Sequence, residues 1–147
     1  MGPIQDHTFF DGSFWKGDGT YTCEQHSYPV VTTVCCEENG DTCTVSTRSV
    51  FNNDCEMTFI NTRTVKLAGG CEAEWEEQNA MYGLVYGKFV FAEQQISSIW
   101  NSSSYSGKET LTKLNDRTYK IEGSSQGVKK SSWKIVFTQQ GVNKPPE

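Results

Sequence analysis

Short runs rich in β-branched and aromatic residues follow one another along the chain, and each run ends at a local turn signal. The clearest runs are 28–36, 42–51, 55–67, 81–92 and 133–138. Val, Thr, Phe and Tyr favour strands, whereas Asn-Gly, Gly-Gly and Asn-Asp pairs favour tight turns. The pattern predicts an all-β protein. We expect a single antiparallel up-and-down β-barrel of about eight to ten strands, because closing such a meander removes its edges.

The length of 147 residues is typical of one domain, so we predict a single barrel over residues 1–147. Residues 1–11 are predicted to be an N-terminal arm, and residues 139–147 a C-terminal tail. The net charge is −5 and the sequence has no basic stripe, which argues against a nucleic-acid partner. No apolar run approaches the roughly 18 residues of a membrane span, so no transmembrane segment is expected.

All six cysteines lie in the first half of the chain. They are Cys23, Cys35, Cys36, Cys43, Cys55 and Cys71. An even number confined to one region predicts disulfide bonds that staple the N-terminal half of the barrel. With Asn39-Gly40 as a two-residue turn, Cys36 falls opposite Cys43 in a hydrogen-bonded pair, near enough for a bridge after small adjustment. The other pairings stay open.

Disulfides persist in oxidising compartments, so the cysteines predict a secreted, extracellular protein. Asn101-Ser-Ser is an N-glycosylation acceptor in a polar segment, which predicts a glycoprotein. The first residues lack the charged and apolar regions of a signal peptide, which fits either an intracellular protein or a mature domain, and the cysteines favour the mature domain. The cysteine spacing does not follow zinc-binding patterns. His7 and His26 fall in predicted termini or turns, so neither a metal nor a cofactor is predicted.

The segment Gly12-Ser-Phe-Trp15 leads into the first predicted strand. A tryptophan flanked by glycines suits the closed end of a small barrel, and Trp15 is predicted to plug that end. A Gly-x-x-Trp segment followed by a long meander resembles the calycin superfamily, which includes lipocalins, fatty-acid-binding proteins and related heme-binding barrels. The resemblance implies a cavity for a small, largely apolar ligand. Arg117-Thr-Tyr119 is similar to the Arg-x-Tyr pair of fatty-acid-binding proteins, which implies that Arg117 and Tyr119 hold a ligand carboxylate.

Aromatic residues cluster in the middle of the chain, and a barrel of this size holds either a packed core or one small ligand. The predicted ligand-lining residues are Trp75, Tyr82, Tyr86, Phe89 and Trp100. Arg63 shares the strand face of Phe59 and Val65, where it would meet the polar head group of a ligand, for example a carboxylate. The alternative is a register break near residues 60–61 that turns Arg63 outward.

No nucleophile elbow, metal-binding helix or phosphate loop is present in the sequence. A secreted, lipocalin-like protein that binds a small hydrophobic or amphipathic ligand inside the barrel is therefore the favoured hypothesis. The first alternative is an extracellular β-sandwich module for interaction or adhesion, with a solid core and a protein partner. The second is a barrel lyase or cyclase that acts on a small apolar substrate and uses an inward Glu, Asp, Tyr or Arg.

Overall fold

The computed structural model describes residues 13–51, 57–66, 71–80 and 82–142. Within these ranges the chain forms ten β-strands and no helix. They are β1 (Ser13–Cys23), β2 (His26–Asn39), β3 (Thr42–Phe51), β4 (Met57–Lys66), β5 (Glu72–Asn79), β6 (Gly83–Phe91), β7 (Gln95–Asn101), β8 (Ser106–Asn115), β9 (Thr118–Gln126) and β10 (Ser131–Val142). The predicted N-terminal arm lies outside the described residues.

The strands follow one another in chain order around one closed sheet, and β1 pairs with β10 to complete it. All ten pairings are antiparallel. This confirms the predicted all-β antiparallel barrel. The β-sandwich alternative is wrong as a fold, because there is one closed sheet rather than two stacked sheets.

Residues alternate between the barrel interior and solvent along each strand, as the pleat of a strand requires. In β5 the side chains of Ala73, Trp75 and Glu77 are buried. The residues between them, at positions 72, 74 and 76, are glutamates that are exposed to solvent. The outer face of this strand is therefore acidic. The alternation also places the core inside the barrel rather than between layers.

Trp15 marks one end of the barrel, which we call the closed end. Its side chain is fully buried, and its ring meets Tyr119 edge-to-face with centroids 5.4 Å apart. At the opposite end, which we call the distal end, six aromatic side chains are only half-buried. They are Tyr21, Tyr28, Phe59, Tyr82, Tyr105 and Trp133. Trp15 therefore occupies the place predicted for a plug.

Three glycines let tryptophan rings lie flat against the inner surface. Trp75 pairs with Gly87, Trp100 with Gly107 and Trp133 with Gly123. A Cβ on any of these glycines would overlap the six-membered part of the facing indole. Each indole thus fills the space next to the glycine that a side chain would otherwise take. In this arrangement an aromatic ring on the neighbouring strand compensates for the missing side chain of a strand glycine.

The hairpin between β2 and β3 turns one residue later than predicted. Asn39 pairs with Thr42, so the two-residue loop is Gly40-Asp41 and not Asn39-Gly40. Gly40 has φ +68° and takes the first loop position, the arrangement of a type II′ turn. The sequence pair Asn-Gly indicated a hairpin here, but not which of the two residues opens the loop.

This register separates the two cysteines that were predicted to bond. Cys36 lies opposite Val45 and Cys43 opposite Glu38, so the two cysteines are diagonal neighbours on the inner face. Diagonal neighbours are about 7–8 Å apart, beyond the usual Cα separation of a disulfide. Among the five cysteines in the described ranges the structure contains no disulfide bond, so the predicted staple is not supported. Cys55 lies outside the described residues.

Two terminal strands are longer than predicted. β1 begins at Ser13, so that Trp15 already lies within the strand, as do Gly17 and Gly19. Both glycines face neighbouring side chains or backbone so closely that a Cβ would overlap them. β10 continues to Val142, through the first part of the predicted C-terminal tail. Residues 143–147 lie outside the described ranges.

Candidate functional site

A cavity of about 170 Å³ lies inside the barrel. Much of its wall is aliphatic, from Val30, Val34, Val45, Val85, Leu111, Ile121 and Ile135. Aromatic rings of the distal end, including Tyr21, Tyr82 and Trp133, also contribute to the wall. A cavity of about 150 Å³ accommodates benzene, so the space inside this barrel matches a molecule built on one aromatic ring.

Three charged side chains project into the cavity and form what we call the charged cluster: Arg63, Glu77 and Glu109. Arg63 Nε donates to Glu77 Oε1 at 2.8 Å, and Arg63 Nη1 lies 3.6 Å from Glu109 Oε1. The side chains are 18%, 8% and 14% exposed, respectively. One guanidinium therefore faces two carboxyl groups in a largely water-excluded space.

Neighbouring side chains hold the second oxygen of each carboxyl group. Asn79 Nδ2 donates to Glu77 Oε2 at 2.6 Å, and Trp133 Nε1 donates to Glu109 Oε2 at 3.0 Å. These bonds fix the orientation of both carboxyl groups toward Arg63. Such satisfied polar networks are the usual condition for keeping charge in a protein interior.

Arg63 also stacks on aromatic rings. Its guanidinium carbon lies 3.7 Å from the ring centroid of Trp75 and 5.5 Å from that of Phe89. Burial by itself disfavours the charged guanidinium, but the carboxyl groups of Glu77 and Glu109 outweigh burial and hold the pKa of Arg63 above its usual value. Arg63 is therefore a fixed positive charge at any physiological pH.

The register of the barrel explains how the charged cluster forms. Arg63 in β4 lies directly opposite Glu77 in β5, and the β3–β4 pairing runs without a shift from Thr42 to Phe51. The alternative of a break near residues 60–61 is therefore wrong, and Arg63 faces inward with Val65. Glu109 comes from β8 on the far side of the barrel, so the cluster spans the interior.

Aromatic hydroxyl and indole groups around the cavity have polar partners. Trp75 Nε1 donates to Ser98 Oγ at 3.1 Å, and the Tyr82 hydroxyl lies 3.1 Å from Ser125 Oγ. Tyr82 also packs against Trp100, with ring centroids 5.2 Å apart. These contacts hold the rings of Trp75, Tyr82 and Trp100 in the wall of the cavity.

Five of the predicted ligand-lining residues lie at the cavity. They are Arg63, Trp75, Tyr82, Phe89 and Trp100. Tyr119 is also buried, but it packs against Trp15 at the closed end and is not part of the cavity wall. Its predicted contact with a ligand carboxylate is therefore not favoured by its position.

Two predicted lining residues face solvent instead. Tyr86 is 56% exposed on the outer face of β6, because inward alternation in this strand falls on Val85 and Phe89. Arg117 lies in the exposed β8–β9 turn, where its Nη2 donates to the carbonyl of Gln139 at 3.0 Å. Arg117 and Tyr119 thus do not form an inward pair on one strand.

Several residues of the site were not predicted, among them Glu77, Glu109 and Trp133. Glu77 continues the inward parity of Ala73 and Trp75, so strict alternation would have identified it. Glu109 has the parity of Leu111, but a charged residue two positions from one buried leucine is a weak signal. In the sequence, Trp133 is recognisable only as the first residue of the strand-forming run 133–138.

Tyr21, at the distal end, should make the free energy of unfolding depend on pH. Its hydroxyl donates to Ser131 Oγ at 2.9 Å, and burial raises the pKa of Tyr21 well above its usual value. Since unfolded tyrosine ionises near pH 10, the unfolded chain loses this proton first. The free energy of unfolding should therefore fall as pH rises above about 10.

We expect Tyr21→Phe to reduce this alkaline loss of stability, because the variant has no hydroxyl to ionise. Urea unfolding at about pH 9 and about pH 11 measures it, with Tyr86→Phe on the outer face as the control. Equal losses in the wild type and Tyr21→Phe would show that Tyr21 does not keep its proton in the folded state.

Among the described residues, no group of His, Cys, Asp and Glu is arranged to hold a metal ion. His26 is exposed beside the β1–β2 turn, and His7 lies outside the described residues. In the described part of the chain no helix is long and apolar enough to cross a membrane.

Comparison with known proteins identifies the fold but not the family. No protein-family model matches the chain, and no curated protein matches it significantly. The crystal structure of Rv2717c from M. tuberculosis is similar with a TM-score of 0.71, over 95% of this chain and 98% of that one. The two sequences are 11% identical. This likeness supports the barrel fold alone, and membership of the calycin superfamily does not follow from it.

Proposed function

We propose that this protein binds a small amphipathic molecule, of about one aromatic ring with a polar head group, inside the barrel. The observation that carries the proposal is the cavity of about 170 Å³, which combines apolar walls with the charged cluster. Binding sites for small molecules commonly pair an apolar wall with a few fixed polar groups. In this cavity the ring would contact the wall and the head group would contact the charged cluster.

The energetics of the interior support the same proposal. Replacing a buried ion pair by well-packed apolar residues is often neutral or stabilising. The barrel instead keeps one arginine and two glutamates beside unfilled space. Charged groups at such a position serve recognition better than they serve stability.

A larger side chain inside the cavity should weaken ligand binding. Val85 in β6 lines the cavity, whereas Val90 in the same strand is 43% exposed on the outer face. We expect Val85→Phe to weaken the binding of phenethyl alcohol by about tenfold or more, because the new ring takes the space of the ligand. Isothermal titration calorimetry measures it, with Val90→Phe as the matched control.

Equal affinities of wild type and Val85→Phe would place the ligand elsewhere. No detectable heat with phenethyl alcohol, phenethylamine or hydrocinnamate would contradict a one-ring site altogether. Circular dichroism of both variants separates lost binding from lost folding.

A barrel lyase or cyclase is the second candidate, because charged side chains do project into the cavity. An acid–base catalyst works best with a pKa near the operating pH. The pKa values of Tyr21 and Arg63 are both raised, which moves them further from neutrality. Tyr21 and Arg63 are therefore poor general acid–base groups at neutral pH.

An extracellular location is also part of the proposal. It rests on the six cysteines in one half of the chain and on the Asn101-Ser-Ser acceptor, whose Asn101 is exposed at the end of β7. A secreted form should show few free thiols under denaturing, non-reducing conditions, and should shift in mass when glycosidase removes a glycan. A full set of free thiols in protein from its natural source would contradict this location.

A further inference from the structure

We propose that the ligand carries a cationic amino group, which binds between the charged cluster and the aromatic wall. This inference rests on the proposed function, since it specifies the chemistry of the molecule that the cavity holds. It also replaces the expectation that Arg63 meets a ligand carboxylate.

The balance of charge in the cavity is the first argument. Arg63 contributes one positive charge, and Glu77 and Glu109 contribute two carboxyl groups. An anionic head group would have to approach these carboxyl groups in a space that water screens poorly, and like charges repel strongly there. A cation would instead complete the pairing of the second carboxyl group.

The contacts of the two carboxyl groups identify which one is available. Both oxygens of Glu77 accept short hydrogen bonds, from Arg63 and Asn79, at 2.8 and 2.6 Å. Glu109 Oε1, by contrast, lies 3.6 Å from Arg63 Nη1, which is longer than a normal N–H···O hydrogen bond. Glu109 Oε1 therefore keeps capacity to accept from an ammonium group.

The aromatic wall is the second argument. The rings of Trp75, Trp100, Trp133, Tyr21 and Tyr82 all border the cavity. Faces of such rings attract cations, most strongly where water is excluded. The guanidinium of Arg63 already lies over Trp75, which demonstrates that this wall accommodates a cation. The remaining rings and Glu109 together form surroundings suited to an arylalkylamine.

Three ligands with one body and different head groups test the inference. Phenethylamine, phenethyl alcohol and hydrocinnamate share a phenyl ring on a two-carbon arm and differ in charge. We expect phenethylamine to bind about tenfold more tightly than the alcohol, as one charge-assisted hydrogen bond predicts. Hydrocinnamate should bind more weakly than the alcohol.

Removing the charge of Glu109 should erase this preference. In Glu109→Gln we expect the amine to bind about as tightly as the alcohol, so that the roughly tenfold ratio between the two affinities falls to about one. The control is Glu76→Gln on the outer face of β5, which should bind all three ligands as the wild type does.

The outcomes separate this inference from the proposed function. If the alcohol or hydrocinnamate binds most tightly to the wild type, the inference is wrong and the cavity still binds a one-ring molecule. If none of the three ligands binds, the proposed function fails and the inference fails with it. The order of the three ligand affinities in the wild type tests the inference even if Glu109→Gln does not fold.

Discussion

Replacing Arg63 with Ala should lower the free energy of unfolding by about 3–5 kcal/mol, the cost of leaving buried carboxyl groups without their counter-charge. Glu77 loses the 2.8 Å bond from Arg63, and Glu109 loses its nearby cation. The stacked contact of the guanidinium on Trp75 is also lost. Urea unfolding followed by tryptophan fluorescence measures the change.

Arg117→Ala is the control, because Arg117 is exposed in a turn and most surface substitutions change stability by less than about 0.5 kcal/mol. A second variant tests the mechanism itself. Glu77→Gln should cost less in the Arg63→Ala background than in the wild type, since the charge that it removes is already unpaired. Additive losses, or a loss below about 1 kcal/mol for Arg63→Ala, would contradict the pairing described above.

Replacing Trp15 with Ala should lower the free energy of unfolding by about 3–5 kcal/mol, the usual cost of truncating a buried aromatic residue. The indole is fully buried, and its edge-to-face contact with Tyr119 is lost in the variant. Thermal and urea unfolding measure the loss. Tyr86→Ala is the matched control, since Tyr86 is an aromatic residue on the outer face.

The Trp15→Ala variant also tests whether Trp15 closes the end of the barrel or contacts the ligand. Trp15 is not part of the cavity wall, so the folded fraction of Trp15→Ala should bind phenethyl alcohol as tightly as the wild type does. A variant that keeps its stability but loses binding would show that Trp15 contacts the ligand and does not close the barrel.

The strand pattern predicted the architecture because strands such as β5 and β7 carry their own evidence of alternation. In β5, Ala73 and Trp75 between glutamates indicate the inner and outer faces without reference to any other strand. The same parity placed Arg63 with Phe59 and Val65, but the sequence left open a register break near residues 60–61, which the unshifted β3–β4 pairing excludes. Features of this kind are local, and one sequence is enough to find them.

Features that depend on turns were harder to predict. The backbone angle at Gly40 decides where the β2–β3 loop begins, and with it the partners of Cys36 and Cys43. Tyr82 and Tyr86 have the same parity in sequence, yet Tyr82 precedes β6 and Tyr86 lies within it. The alternation of side chains within β6 therefore says nothing about the direction of Tyr82. The prediction that both tyrosines face inward is wrong for Tyr86.

The charged cluster shows the same limit for pairs of distant strands. Arg63 and Glu77 are cross-strand neighbours, but Glu109 reaches Arg63 from the opposite side of the barrel. That contact depends on closure of the whole sheet, which no segment of the sequence encodes by itself. The cavity likewise depends on how all ten inner faces meet.

The position of a bound one-ring ligand tests the central claim most directly. We predict intermolecular nuclear Overhauser effects from the ring protons of phenethyl alcohol to the methyl groups of Val85 and Leu111, which line the cavity. Effects to the exposed outer residues Ile99 and Val90, with none to Val85 or Leu111, would contradict a ligand site inside the barrel.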